Sequence, residues 1–348
     1  MAAASAETDP LAASDLLVVI LDTNPFAWYA CSQESNNDGA ESLAFDEALR
    51  SVLVFCNAHL ALRHENHLAI YSAGLKESSL LYSSVDSIKG PRATHGAVHL
   101  PPARDEDITH DANSYQRFRS VDDTIASQIR RIEKQAEYKP GMQDKSVTFA
   151  SCLTKTLCYV NRISKDESLP ALKARILVMS VSGEASHQYI PIMNCIFAAQ
   201  KASIPIDVCK IYGEDAVFLQ QAAHLTKASY YRLERRSGLL QYLMMAFLPG
   251  IAVRKHLHLP TQEQIDLRAA CFCHKKIVDI GYVCSVCLSI FCSPLPVCTT
   301  CRTKFPPSSL KRLMGVGGAS FGPAGKKRKL PPGRTDSARA SPAPSPSL

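Results

Sequence analysis

The chain has 348 residues, 46% of them apolar, and a net charge of +7. At the usual ~100–200 residues per domain this length suggests one sizeable domain plus a smaller module, and the apolar share excludes disorder throughout. Residues 302–348 carry ten Lys or Arg and one acid, +9 in all, which leaves −2 for the remainder, so the overall charge implies no general nucleic-acid-binding surface.

Taken in order, residues 1–15 read as a flexible leader. They have no basic n-region and carry Glu7, Asp9 and Asp15, so no signal peptide is expected. Leu16–Leu21 is a continuous apolar run stopped by Asp22-Thr23-Asn24-Pro25, the pattern of a strand buried on both faces. Ser42–Arg63 has helical spacing (Leu43, Leu49, Val52, Leu53, Cys56, Leu60). Leu68–Tyr71 reads as a strand and Leu80–Ser83 as an antiparallel edge partner. The stretch 85–120 is polar, lacks a period and contains Gly90-Pro91 and Pro101-Pro102, as expected of a disordered insertion. Helices are predicted over Asp122–Glu137, Ser146–Ser164, Tyr189–Lys201, Ala216–Thr226 and Leu239–Leu248. Strands are predicted over Arg175–Val181, Pro205–Ile211 and Ser229–Leu233. Alternation of strands with helices predicts an α/β fold, a mostly parallel sheet with helices on both faces. Its ligand or partner site is expected at the strands' carboxyl ends, here Asp22–Phe26, Ser72–Gly74 and Ser182–Glu184. Residues 16–249 form this domain, 250–270 a connector, 271–305 a metal module, and 306–348 a disordered basic tail. No apolar run reaches the ~20 residues of a bilayer helix.

Seven of the 13 cysteines fall between Cys271 and Cys301. An odd total and one dense cluster point to a soluble protein of a reducing, intracellular compartment with bound metal, not to a secreted disulfide framework. Cys284-x2-Cys287 and Cys298-x2-Cys301 are two knuckles whose thiolates span the corners of a tetrahedron, a closed structural zinc site. Cys271, Cys273, His274 and Cys292 are extra. They form either a second site or unliganded thiols with a surface His, and their spacing is poor for a second site. Tyr282, Leu288, Ile290 and Phe291 are the expected small core around the metal.

Asp22-Thr23-Asn24-Pro25-Phe26 lies where von Willebrand A domains carry Asp-x-Ser-x-Ser for a divalent ion. Asp22 and Asn24 can offer oxygens, but Phe26 cannot. The expected role of Asp22 is to hold backbone N–H groups of the strand-end loop. His59, His64 and His67 are read as surface residues. No G-x-x-x-x-G-K-[ST] loop occurs, and no nucleophile-base constellation stands out.

The segment Cys271–Cys301, above all Gly281-Tyr282-Val283-Cys284 onward, together with Leu17-Val18-Val19-Ile20-Leu21-Asp22-Thr23-Asn24-Pro25, closely resembles the Tfb4-type core subunits of general transcription factor TFIIH. The resemblance spans about residues 15–305. It implies a von Willebrand A-like (Rossmann-type) domain with a C-terminal four-cysteine zinc finger at Cys284, Cys287, Cys298 and Cys301. It also implies a nuclear, non-catalytic scaffold. Such a subunit binds the larger zinc-bearing core subunit, which contacts the repair helicase, and serves RNA polymerase II initiation and nucleotide excision repair. The 85–120 insertion and the tail depart from the pattern. The run Lys326-Lys327-Arg328-Lys329 reads as a nuclear import signal or a solvated charge run. Two other readings compete: a RING-type ubiquitin ligase, which needs two zinc ions in cross-brace order, and a zinc-ribbon nucleic-acid-binding protein using the basic tail.

Overall fold

The computed structural model describes residues 14–33, 42–85, 115–135, 146–166, 172–254, 256–257, 265–274 and 276–307. Most of the expected leader and insertion, and nearly all of the basic tail with Lys326–Lys329, lie outside the described residues.

The first strand, β1 (Ser14–Asp22), contains the apolar run, and its side chains part with period two. Leu16, Val18 and Ile20 enter one core; Leu17, Val19 and Leu21 enter the other. Helices α1 (Pro25–Gln33) and α2 (Phe45–Leu62) lead to β2 (His67–Ala73) and the edge strand β3 (Ser78–Ser83). Then come α3 (Gln116–Gln135), α4 (Phe149–Ser164), β4 (Leu172–Ser180), α5 (Tyr189–Lys201), β5 (Ile206–Lys210), α6 (Val217–Leu225) and β6 (Tyr230–Arg232). Short α7 (Leu239–Tyr242) continues as a π turn over Leu243–Phe247, and α8 (Ile251–Arg254) follows. The sheet order is β3-β2-β1-β4-β5-β6. Every pairing is parallel except β2 with β3, so the expected antiparallel edge is present. Helices α4, α5 and α6 cover one face, and α1, α2, α3 and α7 the other. Strand order reverses between β1 and β4, and the crevice at their carboxyl ends is the natural binding position of such a sheet.

At the opposite, amino-terminal edge, buried charges tie down the chain that follows the sheet. Arg254 makes a bidentate pair with Asp207 at 2.6 and 2.8 Å. Arg175 donates to the carbonyls of Phe247 and Leu248. The near end of the expected connector is thus anchored to β5, and the residues just before it to β4.

Several expectations need correction. Helix α1 does not follow from the sequence pattern, because Pro25 reads as a stop after the strand. Proline is equally at home in a helix's first turn, and Trp28 and Cys31 bury this one. Helix α3 begins at Gln116, inside the stretch expected to be structureless, because Val121 and Ile125 seat its first turns in the core. His59 and His67 are buried, not surface residues. His59 Nε2 lies 3.3 Å from the His67 carbonyl, and burial lowers its pKa to about 3. Only His64 of the three is exposed.

The chain divides into two compact units. One runs to Val283 and includes Ser289–Cys292; the other comprises Cys284–Leu288 and the residues from Ser293. The expected 271–305 module is therefore shared between them. Ala270 is buried in one of the two cores, and β7 (Tyr282–Val283) pairs with β8 (Ile290–Phe291) within the first unit. Among the described residues no helix is long and apolar enough to cross a membrane.

Candidate metal centre

Among the described residues three places invite a cation, and their chemistry differs. The first is the strand-end crevice. Asp22 is fully buried at the end of β1. Its Oδ1 accepts the Asn24 N–H at 3.0 Å, and its Oδ2 accepts those of Val181 and Ser182 at 3.0 and 2.7 Å. The Asn24 side chain is also committed: Oδ1 accepts the Phe26 N–H and Nδ2 donates to Ser182 Oγ. Thr23 donates its hydroxyl to the Ala73 carbonyl.

A positive charge is already built in. Lys210, at the end of β5 and with 0% exposure, donates from Nζ to Ser182 O at 2.6 Å and Ser180 Oγ at 3.3 Å. Asp22 and Lys210 thus hold the two backbone polar groups of one residue, Ser182. Burial pushes Asp22 above the ordinary carboxylate value, against the pull of its N–H donors. Burial likewise lowers Lys210 to about 8, while Asp22 and Glu184 pull it upward. Glu184, pushed up to about 7 by burial, accepts the N–H groups of Val217 and Phe218 at the start of α6. The donor set does not fit a hard divalent ion, which needs several free oxygens. The expected role of Asp22, holding loop N–H groups, is what the geometry shows.

The second place is the second unit. Cys284, Cys287, Cys298 and Cys301 converge, with all four sulfurs within 4.8 Å of one another. Cys284 Sγ lies 3.7 Å from Cys301 Sγ, and Cys287 Sγ lies 3.5 Å from Cys298 Sγ. A tetrahedral site with metal–sulfur bonds of ~2.3 Å has edges of about 3.8 Å. The two knuckles share one backbone design. Leu288 donates its N–H to Cys284 O and Arg302 to Cys298 O, both at 2.9 Å. Each donor sits at φ 59°, in the left-handed region. The Cys301 N–H points at Cys298 Sγ, and Thr303 Oγ1 lies 3.0 Å from Cys301 Sγ. None of the 13 cysteines is in a disulfide. These four thiols can hold a metal ion.

Cys271, Cys273, His274 and Cys292 also converge within 4.8 Å. The spacing argument against them fails because residues 272–274 form a turn that brings neighbouring side chains to one side, and β8 delivers Cys292. Of the expected apolar core around the metal, Phe291 is buried but Leu288 is 70% exposed. Sequence reasoning missed Lys210, which reads as one polar residue at the end of an apolar strand.

A family model described as transcription factor Tfb4 matches residues 14–302. The chain belongs to the Tfb4 family. It is 41% identical to the general transcription and DNA repair factor IIH subunit tfb4 of Schizosaccharomyces pombe over 86% of this chain and 91% of the relative. It is 33% identical to subunit TFB4 of Arabidopsis thaliana over 91% and 95%. Among solved structures it is similar to the TFIIH p34 N-terminal domain, with TM-score 0.52 and 30% identity over 68% of this chain and 98% of that one. The fold is a mostly parallel sheet with helices on both faces, followed by clustered C-terminal cysteines.

Proposed function

We propose that this chain is a non-catalytic structural subunit of the TFIIH core complex, acting in RNA polymerase II transcription initiation and nucleotide excision repair. Near end-to-end similarity to relatives named as subunits of that factor carries the reading. The saturated Asp22 crevice supports a scaffold, because its polar groups already have partners within the chain.

In this reading the partner is the larger von Willebrand A-like, zinc-bearing core subunit. The ion at Cys284, Cys287, Cys298 and Cys301 is structural zinc, which suits four thiolates in a closed tetrahedron. The protein works in the nucleus, with Lys326–Lys329 as import signal. The test is purification of the tagged full chain from nuclear extract. Stoichiometric recovery of TFIIH subunits is expected, with the larger zinc-bearing subunit retained in pairwise reconstitution. A monomer that captures none of them overturns the proposal. Ubiquitin transfer by the purified chain, given a charged conjugating enzyme, would favour the ligase reading; none is expected.

A further inference from the structure

We infer that a cavity between α1, α2 and α3 is a docking site for an exposed basic segment of a partner protein, from which it takes one arginine or lysine side chain. The cavity has a volume of about 290 Å³ and opens beside Thr23 and Pro25, just past the end of β1. It lies at the carboxyl edge of the sheet, where folds of this kind bind their ligands. Cofactor and drug-sized pockets span ~300–1,000 Å³, so this one is the size of a single side chain.

Three elements build the walls, and their chemistry differs. Trp28 and Tyr29 come from α1, Phe45 from the start of α2, and Ile129, Ile132 and Glu133 from the last turns of α3. The aromatic wall is set before any ligand arrives. Trp28 Nε1 donates to the Asp22 carbonyl at 2.7 Å, and Phe45 packs edge-on against the indole with ring centroids 5.2 Å apart. Such preorganisation lowers the ordering cost of binding. Tyr29 is 68% exposed, so its ring is open to a stacking cation.

Charge selects the occupant. Glu133 is the one charged group lining the cavity, and it is exposed with no ion-pair partner among the described residues. Its basic neighbours on α3, Arg130 and Lys134, lie further round the helix and do not line the cavity. Asp46 and Glu47, exposed in the first turn of α2 directly after Phe45, add negative charge on that side. An aromatic and aliphatic trough that ends at a lone carboxylate suits an amphipathic basic side chain. The methylene stem packs on the apolar wall, while the cation meets the ring faces and Glu133. A purely apolar occupant would strip water from Glu133 without supplying a counter-charge, and an acidic one would be repelled. Of the two basic residues arginine fits better, because a planar guanidinium both stacks on a ring and forks onto a carboxylate. The site does not depend on the assignment to TFIIH.

Trp28 is the only tryptophan of the chain, so its fluorescence reports on this cavity. The experiment titrates the full-length chain with synthetic glycine-serine peptides that carry arginine, citrulline or leucine at the same positions. The arginine peptide should change Trp28 emission saturably. Citrulline keeps the shape of arginine without its charge, and its peptide should bind about tenfold more weakly or less; the leucine peptide should do no better. Tyr29→Ala and Glu133→Gln should each weaken the arginine peptide about two- to fivefold, and added salt should weaken it in the parent. Both side chains are exposed, so the melting transitions of these variants should match the parent. No response to the arginine peptide, an equal response to the leucine peptide, or parental affinity in both variants overturns the proposal. Deleting residues 308–348 should leave Trp28 emission and affinity unchanged. A rise in affinity on that deletion would make the chain's own basic tail the occupant and overturn the assignment to a partner.

Discussion

The crevice at Asp22 and the cluster at Cys284 solve the same problem in opposite ways. Each holds acidic side chains, one carboxyl in the crevice and four thiols in the cluster, that cannot be buried as anions without compensation. In the crevice the fold supplies that compensation from its own sheet, with three backbone N–H groups and the ammonium of Lys210. In the cysteine cluster two short knuckles bring four sulfurs together within 4.8 Å of one another. A large core can position a lysine to replace an ion; a segment with little core of its own relies on an ion to replace the core.

That contrast can be broken first at the metal. Cys287→Ser leaves three thiolates, and the site forfeits most of a binding free energy that for structural zinc is ~10–16 kcal/mol. The residues around Cys284–Cys301 should become protease-sensitive, while the melting transition of the α/β body stays in place. A proteolysis time course beside a thermal scan checks both, and equal resistance of variant and parent contradicts it.

The internal counterpart is Lys210→Met. With the ammonium gone, Ser182 O and Ser180 Oγ lose their buried donor and Asp22 loses a nearby positive charge, and a loss of ~1–3 kcal/mol is expected in urea unfolding. Adding Asp22→Asn should recover much of the loss, because the two charges compensate each other. Simple addition of the two single losses would show that they do not.

Acid stability tests the buried histidine of the body. His59 titrates at 6.5 when unfolded and at about 3 when folded. Between those values the unfolded chain holds more protons, so stability falls as pH drops through that window, by up to ~1.4 kcal/mol per pH unit. His59→Leu should flatten that slope relative to the parent, whereas His64→Leu, at an exposed position, should not.

The smallest effect is expected at the knuckle backbone. Arg302 sits at φ 59°, where an L-residue pays ~1–2 kcal/mol and glycine does not. Glycine's extra freedom in the unfolded chain offsets part of the gain. Arg302→Gly should therefore tighten metal retention against a chelator slightly, by less than ~1 kcal/mol, and Arg302→Val should weaken it.

Much of this molecule is legible along the chain because its signals are local. Leu16–Leu21 reads as a two-sided strand since every residue of it is apolar, and both cores receive it. The pairs Cys284/Cys287 and Cys298/Cys301 announce a shared site because a two-residue spacing makes a knuckle by itself. Other features resist such reading. In β5, Asp207 and Lys210 stand three residues apart, yet one binds Arg254 at the amino-terminal edge of the sheet and the other donates to Ser182 O at the carboxyl edge. Nothing in a five-residue strand says which distant group each will meet. The burial of His59 depends on His67 and Asn66, which come close only through the turn between α2 and β2.

The order of residues alone determined the α/β alternation, the antiparallel edge and the four-cysteine set, because periodicity and short ligand spacings act within a few residues. Only the tertiary structure decided that Lys210 stands beside Asp22 and that Cys292 joins Cys271, Cys273 and His274. Those partners lie far apart along the chain and meet only through the pairing of β1, β4 and β5 and of β7 with β8. Electrostatic compensation and metal coordination depend on distance in space, which sheet register sets and sequence separation does not.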